Sequence, residues 1–377
     1  MAKYFQVSLF IIFAFIRCLI ATKCNAGSNQ QIQHCSVLDK NGVLNRLPPV
    51  LKSATTIFFN GSAIRDIEPK EFHVLDKVQQ LYLNNNKLTK LSPQWFTKLQ
   101  NLVIVDLSEN LIRDVGPEVF RHCPYLRIVN LSRNQIRRFH DTSDDFHNVR
   151  VDLSFNPLSD LQIGSVHTLS LNYTDLTELH LKKSVINLYA GHSRISQFSF
   201  DFIDSDRLEI LDLHANNLSD ISNITVLQGG PKYLDLSQNF FGSVSPATFL
   251  NLHRLRHLNL SQTIILNLYY GMFWNQRDLK VLDLSNNHLW NFNTKKLHPA
   301  MLDELYIQNN TIFKLVDERN MLQSLKKLGI AGNSIFCEDL YNIYQSAMMN
   351  GVKIQTPENL LHYEDNNIAG MACGEPS

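Results

Sequence analysis

The eight residues Leu282–Leu289, L-D-L-S-N-N-H-L, decide the fold. Alternation over the first four is the period of a strand with one buried face. Asn287 then brings a compact side chain with both a donor and an acceptor, which can satisfy backbone groups buried where the chain turns inward. The signature recurs as LYLNNNKL at 81–88, VDLSENLI at 105–112, LDLHANNL at 211–218, LDLSQNFF at 234–241 and LGIAGNSI at 328–335.

Extending the register places the asparagine slot at 62, 86, 110, 134, 156, 174, 193, 216, 239, 263, 287, 310 and 333. These 13 repeats are mostly 22 to 24 residues apart, with two short steps of 18 and 19 that end at 174 and 193. Nine slots hold Asn, and the exceptions, Ser62, Thr174, Ser193 and Thr263, are all small hydroxyl residues. Many repeats also carry Phe ten residues after the slot: Phe72, Phe96, Phe120, Phe249 and Phe273. In-phase copies over about 75% of the chain specify an α/β solenoid, a leucine-rich-repeat horseshoe whose parallel β-sheet lines the concave side. Residues 53–335 form the repeats, 24–52 an N-terminal cap and 336–377 a C-terminal cap.

With 44% hydrophobic and 19% charged residues, the 377-residue chain can bury a large core. Lys plus Arg and Asp plus Glu both total 35, so no basic field exists for a nucleic acid backbone and none is expected as partner. The start, MAKYFQVSLFIIFAFIRCLIATKCNA, has Lys3 and an apolar run from Phe5 to Ile16. That run is too short to span a bilayer and reads as a signal peptide, residues 1–23. Cleavage falls between 21 and 26: a cut after Ala26 suits the small-residue rule, whereas an earlier cut near Ala21 is favoured because it keeps Cys24 with Cys35. A secreted, extracellular protein without a membrane span is expected.

In that compartment, Cys24 with Cys35 and Cys337 with Cys373 are expected to close the two caps, while Cys123 sits at a core position. Asn41–Gly42 predicts a small hairpin over the first repeat. Seven acceptors for sugar are present, Asn60, Asn130, Asn172, Asn217, Asn223, Asn259 and Asn309, and five of them fall on the strand layer or its edge.

No catalytic signature is found, and neither cofactor nor metal is expected. His192 and His214, on neighbouring repeats, read as surface histidines that come close, and His253 and His257 as too far out of phase to share a metal. Recognition by a large surface is the natural alternative. Four places before the slots the chain offers Tyr82, Asp106, Asp152, Tyr189, Asp212, Asp235, Asp283 and Tyr306, an acidic stripe with aromatic interruptions. Together with His214 and Tyr233 these are the candidate binding residues. The aspartates also have a plainer reading, as residues that only solvate the sheet. Sugars at the strand acceptors leave three open windows, Tyr82 to Asp106, Asp212 to Asp235 and Asp283 to Tyr306.

The leader, the LDLSxN repeats and the single-cysteine entry to the C-terminal cap, GNSIFCEDLYNIYQ, resemble secreted insect leucine-rich-repeat proteins, in particular the leucine-rich immune molecule family of mosquitoes. The resemblance implies a blood-borne immune factor whose partners are extracellular proteins, a complement-like factor among them, or glycans. The family's well-known members stabilise a complement-like thioester protein as disulfide-linked heterodimers with a C-terminal coiled coil. This chain departs from that pattern, with 40 residues after Cys337 and neither sustained heptads nor paired linking cysteines, so it resembles a coil-less member. A developmental or matrix adhesion protein is the rival reading, and a hydrolase, which needs a compact polar cluster on the inner face, the third.

Overall fold

The computed structural model describes residues 23–26, 32–36, 41–45, 47, 49–141, 146–201, 207–242, 244–297, 302–317, 320–355 and 367–374, with 23–26, 32–36, 49 and 50 as backbone. The expected leader and its cleavage site lie outside the described residues, apart from Lys23–Ala26. Two compact units divide the chain, Met1–Asp175 and Leu176–Ser377.

In the first unit, strands Ile32–Ser36, Thr56–Phe58, Gln80–Tyr82, Ile104–Asp106, Ile128–Asn130, Arg150–Asp152 and Val166–Ser170 pair in parallel, in that order. In the second, Val185–Tyr189, Ile210–Asp212, Tyr233–Asp235, His257–Asn259, Val281–Asp283, Glu304–Tyr306, Lys327–Gly329 and Lys353–Gln355 do the same. The strands are short because only the residues before each slot alternate. Their central side chains, such as Leu81, Val105, Leu211 and Leu282, are fully buried. This is the α/β leucine-rich-repeat solenoid that the repeat period demanded.

The asparagine slots form the expected ladder. Asn110 is typical: its Oδ1 accepts the Leu88 N–H at 3.0 Å, and its Nδ2 donates to the carbonyls of Leu83, Leu107 and Ser108. Each rung therefore ties its own turn to the turn before it. All nine asparagines are buried, with Asn239 fully so. The hydroxyl slots are less uniform. Thr263 is buried and donates to Leu260 O, whereas Ser62 is only half-buried. At both, the asparagine of the next repeat compensates by accepting two N–H groups: Asn86 those of Ser62 and Ile64, Asn287 those of Thr263 and Ile265.

The residue before each of the thirteen slots has a left-handed backbone, from Gly61 at φ 65° and Asn85 at 55° to Asn309 at 54° and Gly332 at 70°. Glu109, Arg133, Phe155 and Tyr173 adopt it too, although nothing in their chemistry favours it.

The phenylalanines ten places on are all buried and build a spine, with ring centroids 4.8 Å apart for Phe96–Phe120 and 5.8 Å for Phe249–Phe273. The two short repeats have a physical cause. They return through an outer strand alone, Asp160–Ile163 and Glu178–Leu181, without a 3-10 turn of the kind that lengthens other repeats, such as Pro93–Trp95 and Ser222–Val226. A strand covers about 3.3 Å per residue against about 2.0 Å for a 3-10 helix, so fewer residues are needed.

The caps differ partly from expectation. The antiparallel pair is Lys23–Ala26 with Ile32–Ser36, ahead of Asn41–Gly42, and it sets Cys24 opposite Cys35; the side chains of that pair lie outside the described residues. Asn41–Gly42 instead turns the chain into Val43–Leu44, which runs parallel to Asp66–Ile67. Gly42 has φ 74°, its carbonyl accepts the Arg65 N–H, and an added Cβ would press on Ala63 O. At the other end the disulfide Cys337–Cys373 is present, beside the helix Cys337–Met349. Cys123 is buried and unpaired, with burial pushing its thiol up to about 12.

Candidate recognition surface

The residues four places before the slots stand side by side on consecutive strands. In the first unit the row runs Phe58, Tyr82, Asp106, Asn130, Asp152, Ser170, and in the second Tyr189, Asp212, Asp235, Asn259, Asp283, Tyr306, Gly329. Phe58 and Tyr82 stack at 4.6 Å.

The aspartates do more than solvate the sheet. Each folds Oδ1 back to accept the N–H two residues on: Asp106 from Ser108, Asp152 from Ser154, Asp212 from His214, Asp235 from Ser237 and Asp283 from Ser285, at 2.8 to 3.1 Å. Asn130 and Asn259 do the same with Ser132 and Ser261. The stripe is first a set of turn-forming side chains, which end the strand by competing for the next backbone donor.

The richest part of the row lies in the second unit. His214 Nδ1 is 2.6 Å from Asp212 Oδ1, and its ring meets that of His192 edge-on at 4.7 Å. Gly191 gives the ring its seat, since a Cβ there would collide with it. The hydrogen bond to Asp212 holds the His214 imidazole above its ordinary value despite burial. Tyr233 stacks on His257 at 4.6 Å and its hydroxyl donates to Asp235 Oδ2. Burial pushes Tyr233 upward and His257 downward. Tyr306 donates to Glu304 at 2.6 Å, and burial followed by that bond raises it to about 12. Glu304 is held low by its bond to Lys327. The tyrosines are therefore neutral donors with apolar ring faces at neutral pH. The two histidines come together as expected, and no metal-binding group of three occurs among the described residues.

Sequence reasoning missed three further features. On the outer side of the second unit, His180 Nδ1 lies 2.6 Å from Ser199 Oγ and its Nε2 lies 3.1 Å from Asp201 Oδ2. These are the residue types of an acyl-transfer triad, but the carboxylates Glu178 and Asp220 line the same cavity and would oppose a developing oxyanion. At the left-handed positions of the first unit, Phe155 and Tyr173 stack at 4.5 Å with the Arg133 guanidinium 4.1 Å over Phe155. Three places after the slots, Leu266, Trp290 and Phe313 are 56%, 47% and 41% exposed in the second unit, whereas the first has Arg65, Thr89, Arg113 and Arg137 there. The signal for these rows was the repeat phase itself, applied to positions other than four and two before the slot.

Of the sugar acceptors, Asn60, Asn217, Asn223 and Asn309 are exposed and Asn130, Asn172 and Asn259 half-buried. Asn259 Nδ2 donates to Asp235, and Asn309 Nδ2 to Asn286.

An in-register strand face with half-buried aromatic rings, carried on stacked repeats, defines a leucine-rich-repeat scaffold for protein interaction. Family comparison agrees: a sequence model for the leucine rich repeat matches residues 52–108, 76–136, 100–158 and 232–289. Among solved structures, the leucine-rich repeat domain of mosquito APL1B is similar at 25% identity and TM-score 0.71, over 85% of this chain and 94% of that one. The APL1 leucine-rich repeat domain matches at 25% and 0.69, over 88% of each chain, and the LRIM1/APL1C complex at 22% and 0.73, over 94% of this chain and 72% of that one. No curated protein matches the sequence. Among the described residues no helix is long and apolar enough to cross a membrane.

Proposed function

We propose that this chain is a secreted glycoprotein of innate immunity. Its leader ends between residues 21 and 26, its caps occupy 24–52 and 336–377, and it recognises an extracellular protein or glycan with its strand face. The observation that carries the reading is the in-register row of the second unit, where Tyr189, Asp212, Asp235, Asp283 and Tyr306, with His214 and Tyr233 beside them, combine ring faces with polar tips. Such amphipathic rings anchor interfaces at low entropic cost. The similarity to the APL1 domains supports the immune setting, and the disulfide Cys337–Cys373 suits an oxidising compartment. Tyr82, Asp106 and Asp152 are the corresponding candidates of the first unit. Sugars at Asn130 and Asn259 direct partners to the windows Tyr82 to Asp106, Asp212 to Asp235 and Asp283 to Tyr306.

The test expresses the tagged full chain with its own leader in insect cells and recovers it from the medium. Affinity capture from body fluid, under reducing and non-reducing conditions, is then compared with capture by Tyr233→Ala/Tyr306→Ala. A chain that stays inside the cell, or a partner held equally well by the variant, would overturn the proposal.

A further inference from the structure

A cavity of about 420 Å³ opens on the outer side of the second unit, between strands Glu178–Leu181 and Gln197–Phe200 and the turn that leads into Ser222–Val226. Beneath it lie Leu179 and Phe198, whose side chains are buried. Its walls are polar and come from three successive returns, with Glu178, Ser196, Gln197, Ser219 and Asp220 facing the space. Among the described residues the side chains of Glu178 and Gln197 make no hydrogen bond. A cavity of this size, with converging carboxylate, amide and hydroxyl groups, suits a small polyhydroxylated ring.

One wall residue says which ring. Asn223 lines the cavity, is exposed, and begins the acceptor Asn223-Ile224-Thr225. Its Nδ2 donates one hydrogen to Phe198 O at 2.7 Å. Glycosylation replaces one of the two Nδ2 hydrogens and leaves one to donate to Phe198 O.

We propose that the cavity seats the first sugar of a glycan on Asn223. In the joining step a diphosphate-linked oligosaccharide is the donor: the Nδ2–C1 bond forms, the bond from C1 to the diphosphate oxygen breaks, and Nδ2 loses a proton. The ring then lies between the three returns, its hydroxyls donating to Glu178 and Asp220 and its acetamido group meeting Gln197. Tethering at Asn223 gives it a local concentration that no free sugar matches. The seated glycan closes the outer cavity to other ligands and leaves the strand face of the unit free. This rests on the reading of the chain as a secreted glycoprotein.

The experiment supplies a foreign leader, so that export does not depend on the native one. The full chain is purified from the medium and each acceptor is followed by glycopeptide mass spectrometry during digestion of the native protein with a peptide N-glycosidase. The expected result is release at Asn223 about ten-fold slower than at the exposed Asn217, a difference of about 1.4 kcal/mol, with equal rates after denaturation. Glu178→Ala/Gln197→Ala should speed native release without lowering occupancy. Thr225→Ala, which abolishes the acceptor, should lower the melting temperature more in chain made in insect cells than in chain made without glycosylation, because loss of the Thr225 hydroxyl bond to Ser222 O is common to both. An unmodified Asn223, or release as fast as at Asn217, overturns the proposal. Failure of the native leader to export the chain instead defeats the secretion reading and leaves this result standing.

Discussion

A single buried side chain can serve four backbone groups, and this sets what each slot tolerates. Asn239 is fully buried, accepts the Leu218 N–H and donates to the carbonyls of Leu213, Leu236 and Ser237. Asn239→Ala leaves all four without that partner and is expected to cost about 3 kcal/mol, since each buried unsatisfied group costs about 1–3 kcal/mol. Asn239→Thr should cost roughly half as much, because a hydroxyl can still donate within its own repeat, as Thr263 does to Leu260 O; urea titration ranks the two. Ile264 lies at φ 65°, a left-handed conformation that a β-branched residue adopts only under strain, and is 39% exposed. Ile264→Asn should therefore raise stability by about 1 kcal/mol, and an unchanged urea midpoint would sink that account. The slots were legible because their chemistry admits few residues. The left-handed positions were not, because residues such as Glu109 and Phe155 are held there by their own N–H bonds to Ser132 O and Asn172 O of the next repeat, which no side-chain chemistry announces.

Titration belongs to the same scale. Asp212 raises the folded His214 value above its ordinary 6.5, so the protonated ring stabilises the fold. That contribution is full below 6.5 and disappears as the pH rises through the higher folded value. The stability difference between wild type and His214→Gln should accordingly shrink between about pH 5.5 and about pH 8. His257 runs the other way, since burial lowers it and charging it on acidification costs stability; it is present in both chains and cancels. A difference that grows with pH would contradict the geometry at Asp212.

Elements here are held by their neighbours more than by their own propensity. Strands of three residues have no independent stability, and each depends on the ladder, on the Phe spine and on the next strand. The strand pattern was readable because alternation and slot repeat together thirteen times. The return path was not, because Asp160–Ile163 and Ser222–Val226 follow local packing and carry no shared motif. The same dependence makes the C-terminal cap separable. The disulfide Cys337–Cys373 spans 36 residues, and removing a loop closure of that length costs about 3–4 kcal/mol in the chain-entropy account. In Cys337→Ser/Cys373→Ser, hydrogen exchange should quicken in the helix Cys337–Met349 and in Lys353–Gln355, and stay unchanged in Ile210–Asp212. Loss of protection throughout the second unit would mean that the cap is needed for the repeats to fold.

At the scale of the whole molecule, what separates the two units is the character of their rows. The first sets Arg65, Arg113 and Arg137 where the second exposes Leu266, Trp290 and Phe313, and the second also carries the histidine–tyrosine part of the strand row. Two surfaces of the second unit thus compete as the place where a partner binds. The strand row has donors of fixed geometry beside each ring, as Tyr233 on Asp235 and Tyr306 on Glu304 show, and such rings lose little freedom on binding. The lateral row has area without oriented polar groups; Trp290 and Phe313 stack on each other at 5.9 Å and so already shield part of their faces. Truncating a central anchor typically costs about 2 kcal/mol, or about thirty-fold in affinity. Tyr233→Ala should weaken partner binding by that factor in a direct titration, and Trp290→Ala by much less. The reverse order would move the interface from the strand face to the side of the repeats, and the strand-face windows would lose their meaning as binding sites.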